Sequence, residues 1–322
     1  MEKKTLKTLN QRIEGDLKDL YNLLSMQIVL KDIEKENPIS EAVTLSKELF
    51  GGDGMSADGA YGLSCFGLPG YFTGNRDSKT IMVMLNPGRD VMENDNPLKT
   101  LHTLKKYGIS LDSEEDFIRT YKESCRRFGE NDIDRKDNFD IKQAAFLESW
   151  DNCGVDQLKE FPQRIRDLNE KTRNEYLKIV KRNVIMQKLQ LELIPYASRR
   201  FDTQTKNFEA LMPYLKTLLH EIFRTDRKYV IFCSAFFDKL FEYAEQKNIV
   251  TIEELLEDET DLFYKEGKNR KARCKVIKIT YHSNTQKAII AHTFPNQALS
   301  NAYERMQKYG AFCYKCWKNS QR

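Results

Sequence analysis

Three short polar sets each close a run that reads as a β-strand. Asn86-Pro87-Gly88 follows Thr80–Leu85 (TIMVML), and His292-Thr293-Phe294-Pro295 follows Lys287–Ala291 (KAIIA). Between them, Glu192 lies near the end of Leu189–Ile194 (LQLELI), ahead of Pro195-Tyr196-Ala197-Ser198. Open α/β sheets hold ligands at the carboxyl ends of their strands, so these are the places where chemistry is expected. A carboxamide can orient a water, and an imidazole can donate a hydrogen bond to a leaving group. A carboxyl can accept from an amino group or, when protonated, donate to a ring nitrogen. Each set has a plain alternative, since Asn-Pro-Gly is a common turn signal and a histidine after a strand is often structural. Three such sets in this order are less easily dismissed.

The elements that would position them are legible from periodicity. TIMVML is a short continuous apolar run, as expected of a strand buried on both faces. LQLELI alternates and puts Gln190 and Glu192 on one face, opposite Leu189, Leu191 and Leu193. Tyr229–Cys233 (YVIFC) is a third apolar strand, and Cys274–Tyr281 with Lys287–Ala291 reads as a hairpin turning through Ser283 and Asn284. Helical segments separate the first three strands, which predicts βα crossovers. The expected fold is α/β: three α/β/α layers around a mostly parallel sheet of about four strands.

Residues 1–60 read as a helical N-terminal extension, with Leu6, Ile13, Leu17, Leu20, Leu24 and Ile28 at three- and four-residue steps. Residues 61–322 read as the main domain, with a polar helical insertion at about 95–183. Eight of the 15 glycines lie between Gly51 and Gly74, marking a loop region. A last helix is predicted from about Gln297 to Tyr309, with Leu299, Ala302, Tyr303 and Met306 as its apolar stripe.

The bulk properties set bounds. With 322 residues, 40% hydrophobic and 31% charged, the chain can bury a core beneath a well-solvated surface. Met1 to Asn10 is lysine-rich with no apolar run behind it, and the longest apolar stretch, Tyr229–Phe237, is too short for a bilayer. A soluble, cytoplasmic protein without a membrane partner is expected, and no obligate protein partner is evident. Seven scattered cysteines predict reduced thiols. Only Cys313-Tyr314-Lys315-Cys316 has a metal-like spacing, and with no second pair the expectation is two ordinary helical cysteines and no metal. The net charge of +4 hides an asymmetry: Tyr264–Arg322 holds 13 Lys/Arg against two acids, or +11, leaving −7 elsewhere. That is the footprint of a phosphate-backbone binder or of a solubilising basic tail.

Val83-Met84-Leu85-Asn86-Pro87-Gly88 resembles the first motif of the uracil-DNA glycosylase superfamily, closest to its mismatch-specific and single-strand-selective branches. His292-Thr293-Phe294-Pro295, continuing to Leu299-Ser300, resembles the second, and Pro195-Tyr196-Ala197-Ser198 lies where the family has its base-reading strand. The resemblance covers about 65–95 and 185–310. Met84 stands in place of the family glycine, and Thr293-Phe294 in place of Pro-Ser. It implies a monofunctional DNA N-glycosylase that needs no cofactor and acts on a base flipped out of DNA. Asn86 would orient the attacking water and His292 would hold the departing base. Asp90 is a second candidate for the water site or simply a helix-start residue. Base contacts are expected from Gly88, Glu192, Tyr196 and Phe294, with Tyr107, Phe294 or Tyr196 stacking on the ring. DNA contacts are expected from Ser198, Asn296, Gln297 and Ser300.

Two of these residues bear on the base. Gly88 leaves room for a group on pyrimidine C5, or merely allows a turn. Glu192 opposes the O4 acceptor of uracil but matches the N4 donor of cytosine; its alternative is an ion pair with Arg199 or Arg200. Together they point to a C5-modified cytosine, as found in the modified DNA of bacteriophages. An ordinary uracil or mismatch repair glycosylase, or a DNA-binding module with the fold and no catalysis, are the rivals.

Overall fold

A computed structural model of the chain describes residues 7–29, 39–51, 62–86, 97–126, 138–150, 169, 171–172, 175, 187–198, 207–263, 269–294 and 302–320. It is a mixed α/β structure. The strands are β1 (Phe72–Gly74), β2 (Thr80–Met84), β3 (Lys188–Glu192), β4 (Tyr229–Phe232), β5 (Thr251–Phe263), β6 (Asn269–Tyr281) and β7 (Asn284–Ala291). The helices are α1 (Leu9–Val29), α2 (Ser40–Phe50), α3 (Pro97–Tyr107), α4 (Glu114–Arg126), α5 (Asn138–Leu147), α6 (Phe208–Ile222), α7 (Phe236–Gln246) and α8 (Ala302–Asn319).

The seven strands form one sheet in the order β1-β3-β2-β4-β7-β6-β5. Pairs β2–β4 and β4–β7 are parallel, as the intervening helices require, whereas β7–β6 and β6–β5 are antiparallel. The expectation of about four mostly parallel strands thus falls short. β5 carries six acids in 13 residues and has no apolar alternation, so it does not read as a strand. What makes it one is β6, whose register sets Glu253 opposite Lys278, Glu257 opposite Lys275 and Glu259 opposite Arg273. β6 and β7 are joined by a two-residue turn at His282 and Ser283, one residue earlier than predicted, with His282 at φ 53°.

The chain divides into two compact units. One holds Met1–Phe72, Met84–Arg126 and Leu191–Arg224; the other holds Thr73–Val83, Arg127–Gln190 and Thr225–Arg322. The span predicted as a single helical insertion is therefore shared between them. In the first unit α1 is the hub, touching α2, α3, α4 and α6. Its stripe of Ile13, Leu17, Leu20 and Leu24 is fully buried, as the periodicity predicts. α6 begins with an Asn207 side-chain cap accepting from Ala210 N at 3.3 Å.

In the second unit, β2 and β4 are buried along their whole length. α8 is described from Ala302 and runs ten residues further than predicted, to Asn319, because Phe312, Cys313, Cys316 and Trp317 continue its apolar face. It lies so close to α5 that a Cβ on Gly310 would fall 1.9 Å from the Phe146 carbonyl oxygen. Only glycine fits that crossing. Trp150, Tyr229, Tyr314 and Trp317 pack edge-on or tilted around it, with centroids 5.0–6.3 Å apart.

Candidate active site

The first unit contains Asn86, Glu192, Tyr196 and Ser198. Hydrogen bonding between the β2 and β3 segments continues past the strands, with Leu193 N donating to Met84 O and Ile194 N to Leu85 O, both at 2.9 Å. This brings Asn86 beside the Pro195–Ser198 turn. Its Nδ2 donates to Ser198 Oγ at 2.6 Å and to Tyr196 O at 3.4 Å. The turn is itself stitched down by Gly70 N to Pro195 O (2.7 Å) and Ser64 N to Ala197 O (2.8 Å). The carboxamide plane is thereby set, with NH2 toward Ser198 and Oδ1 on the opposite side. Ser198, expected at the DNA, is buried and holds Asn86 instead.

Tyr196 does not offer its ring to a base. It is 1% exposed, and its hydroxyl donates to Asp16 Oδ2 at 2.7 Å. The Tyr71 hydroxyl donates to the same oxygen at 2.6 Å. Burial pushes the Asp16 carboxyl up to about 7, against the two tyrosine hydrogen bonds that hold it down, with Glu41 and Asp19 adding to the rise. One turn earlier, Arg12 pairs with Glu41, donates to Thr217 Oγ1 at 2.7 Å, and lies 4.3 Å over the Tyr214 ring. None of this network is apparent from the motifs. The available signal was a charged pair, Arg12 and Asp16, at helical spacing inside the apolar stripe of α1.

Glu192 does occupy the less buried face of β3 with Gln190, as the alternation predicts. It lines a cavity of about 10 Å³ together with Arg12, Tyr71, Tyr214, Thr217 and Glu221. That space suits one water, not a nucleobase. Arg199 and Arg200, the alternative partners, lie outside the described residues.

His292 belongs to the second unit, where it follows β7. Its Nε2 is 2.6 Å from Asp238 Oδ2, in the first turn of α7. Asp238 is also 3.8 Å from Lys275 Nζ. Phe294 is buried and packs edge-on against Phe146 at 5.3 Å, so its ring too is taken up by the core. Of the three aromatics expected to stack on a base, only Tyr107, at the end of α3, is partly exposed. Gly88, Asp90, Asn296, Gln297 and Ser300 lie outside the described residues.

The basic C-terminal third is not a bare cationic surface. On β6, Lys271 pairs with Glu259, Arg273 with Glu257, Lys275 with Glu254 at 3.1 Å, and Lys278 with Glu253 at 2.8 Å. These cations answer the acids of β5. Cys274, Cys313 and Cys316 are buried together, and a hydrogen bond with Cys313, helped by burial and opposed by one with Cys316, raises the Cys274 thiol. Among the described residues, no group of three or more His, Cys, Asp or Glu is arranged to hold a metal ion, and no helix is long and apolar enough to cross a membrane. Comparison of the chain with protein-family models, curated proteins and solved structures finds no match.

Proposed function

We propose that the chain is a DNA glycosylase that hydrolyses the N-glycosidic bond of a flipped-out base and leaves an abasic site. The observation that carries the reading is Asn86, a carboxamide following β2 whose orientation is fixed by the Ser198 hydroxyl at 2.6 Å. Counting outward from β2, the chain adds β3 on one side and β4 and then β7 on the other, so the winding reverses at β2. Open α/β sheets hold ligands at such a reversal. The three-layer glycosylase architecture of the resembling family is proposed with it.

In this reaction the C1′–N bond breaks toward an oxocarbenium-like state, the pair of electrons leaving with the base. A water oxygen then bonds to C1′ and gives up its proton, and the base nitrogen takes one. Neutral water suffices to attack such a cation, so placing that water is most of the work. Asn86 Oδ1, directed by the fixed NH2, would accept from that water. His292, by the role that the family resemblance implies, would donate a hydrogen bond to the departing base.

A C5-modified cytosine is the proposed substrate, on the acceptor character of Glu192 and the absence of a side chain at Gly88. Uracil is the second reading, favoured by one observation: the cavity that Glu192 lines holds a water and not a base, which takes away the carboxyl acceptor that would single out the cytosine N4 donor. The test is incubation with duplexes carrying single modified bases, followed by alkali. Strand breaks at a C5-modified cytosine support the first reading, and breaks at uracil alone the second. Intact strands with every base sink the glycosylase reading.

A further inference from the structure

We propose that Asp16 is a positioning residue for both Asn86 and Glu192, acting through the two tyrosine hydroxyls that share its Oδ2. The inference rests on the glycosylase reading for what Asn86 does, and on geometry for how it is held. From Asp16 Oδ2 one route runs through the Tyr196 hydroxyl at 2.7 Å to the Tyr196 ring and backbone, whose carbonyl accepts from Asn86 Nδ2 at 3.4 Å. Two residues on, Ser198 Oγ accepts the shorter bond from the same amide. The other route runs through the Tyr71 hydroxyl at 2.6 Å to the Tyr71 carbonyl, which accepts from Glu192 N at 3.2 Å. The two segments are also tied directly, Gly70 N donating to Pro195 O. One buried oxygen on α1 is therefore tied to both segments whose carbonyls accept from the two site residues.

A carboxyl is a costly choice for a core position unless its hydrogen bonds serve a purpose. Arg12 does not neutralise it, being committed to Glu41 and Thr217. The titratable groups that interact with Asp16 are Asp19 from α1, Glu41 from α2, Tyr71 from the segment before β1, Tyr121 from α4, Tyr196 from the turn after β3, and Tyr214 from α6, with Arg12 one turn earlier on α1. Ionisation strengthens what the carboxylate accepts from both tyrosines, and protonation weakens it. The positions of Asn86 and Glu192 should respond to that change together.

The test uses the full chain and has two readouts. In NMR, the Asn86 side-chain amide, assigned by its loss in Asn86→Asp, and the Glu192 backbone amide should shift together through a midpoint of about 7. In Asp16→Asn both should lose that midpoint. Tyr196→Phe should displace the Asn86 signal, and Tyr71→Phe the Glu192 signal. In single-turnover excision, Asp16→Ala should lose about tenfold or more with duplex affinity within about threefold, and Asp16→Asn should recover most of the rate. Unmoved Asn86 and Glu192 signals in the folded tyrosine variants and in Asp16→Asn would overturn the proposal. Signals that move as expected, in a wild type that excises no base, would leave Asp16 positioning the two residues and remove the glycosylase reading alone.

Discussion

The β5–β6 ladder and the Asp16 network distribute charge in opposite ways. The ladder is dense, regular and largely exposed: Lys278 meets Glu253, Lys275 meets Glu254, and Arg273 meets Glu257 across an antiparallel register. The network is sparse and buried, a single carboxyl between two tyrosine hydroxyls. Exposed pairs individually contribute little to stability, whereas one buried carboxyl constrains every group that touches it. Charge density along a sequence is thus a poor guide to where a charge matters. A basic run can be answered by an acidic strand, while a lone aspartate in a helix stripe organises a site.

The first way to break this comparison is Asn86→Ala. It should lower single-turnover excision by at least ~10², with DNA affinity within a few fold, because placing water acts in the transition state. Equal losses of binding and rate would take the chemistry away from the sparse region. Next comes Asp16→Asn, read by stability against pH. The folded carboxyl titrates at about 7 and an unperturbed one near 3.8. Its proton is therefore held more tightly in the folded state, so the wild type should be most stable below about pH 4 and lose stability as pH rises through 7. Denaturant titrations should show this slope, on the order of 4 kcal/mol in full, and Asp16→Asn should lack it. Parallel slopes in the two proteins would mean that Asp16 is not the titrating group.

The smallest effects belong to the ladder. Arg273→Ala and Lys278→Ala should each cost less than ~1 kcal/mol, and less still at high salt. Both should leave the salt dependence of duplex binding unchanged, where loss of a phosphate contact would reduce its slope by about 1. A reduced slope would restore the basic strand as a DNA contact and make the two regions alike in function.

What could be read in advance follows the same division. β2, β3, β4, β6 and β7 are legible because burial on one or both faces writes itself into apolar runs or alternation. β1 is three residues long, and β5 is a strand by virtue of cross-strand ion pairs, so neither leaves a local trace. Asn86 and His292 stand out by lying after strands. Asp238 and Asp16 do not, since each gains meaning only from a partner remote in sequence. Tyr196 and Phe294 were legible as aromatics near a site, but not as rings already enclosed by other side chains. Ser198 shows the converse: a surface-type residue drawn inside by a hydrogen bond that no spacing announces.

The sequence separations in the first unit carry a consequence for synthesis. Tyr196 follows Asp16 by 180 residues, and Thr217 follows Arg12 by 205. At ~5–20 residues per second, α1 leaves the ribosome roughly 10–40 s before the groups that cover Asp16 and Arg12 exist. Its apolar stripe meets α2 early, but the face with Arg12 and Asp16 lacks Tyr196, Tyr214 and Thr217 until then. β6 and β7, by contrast, close across two residues as soon as they emerge. The face of α1 that carries Asp16 is thus among the last to be covered, and the network it organises is completed only when those groups arrive.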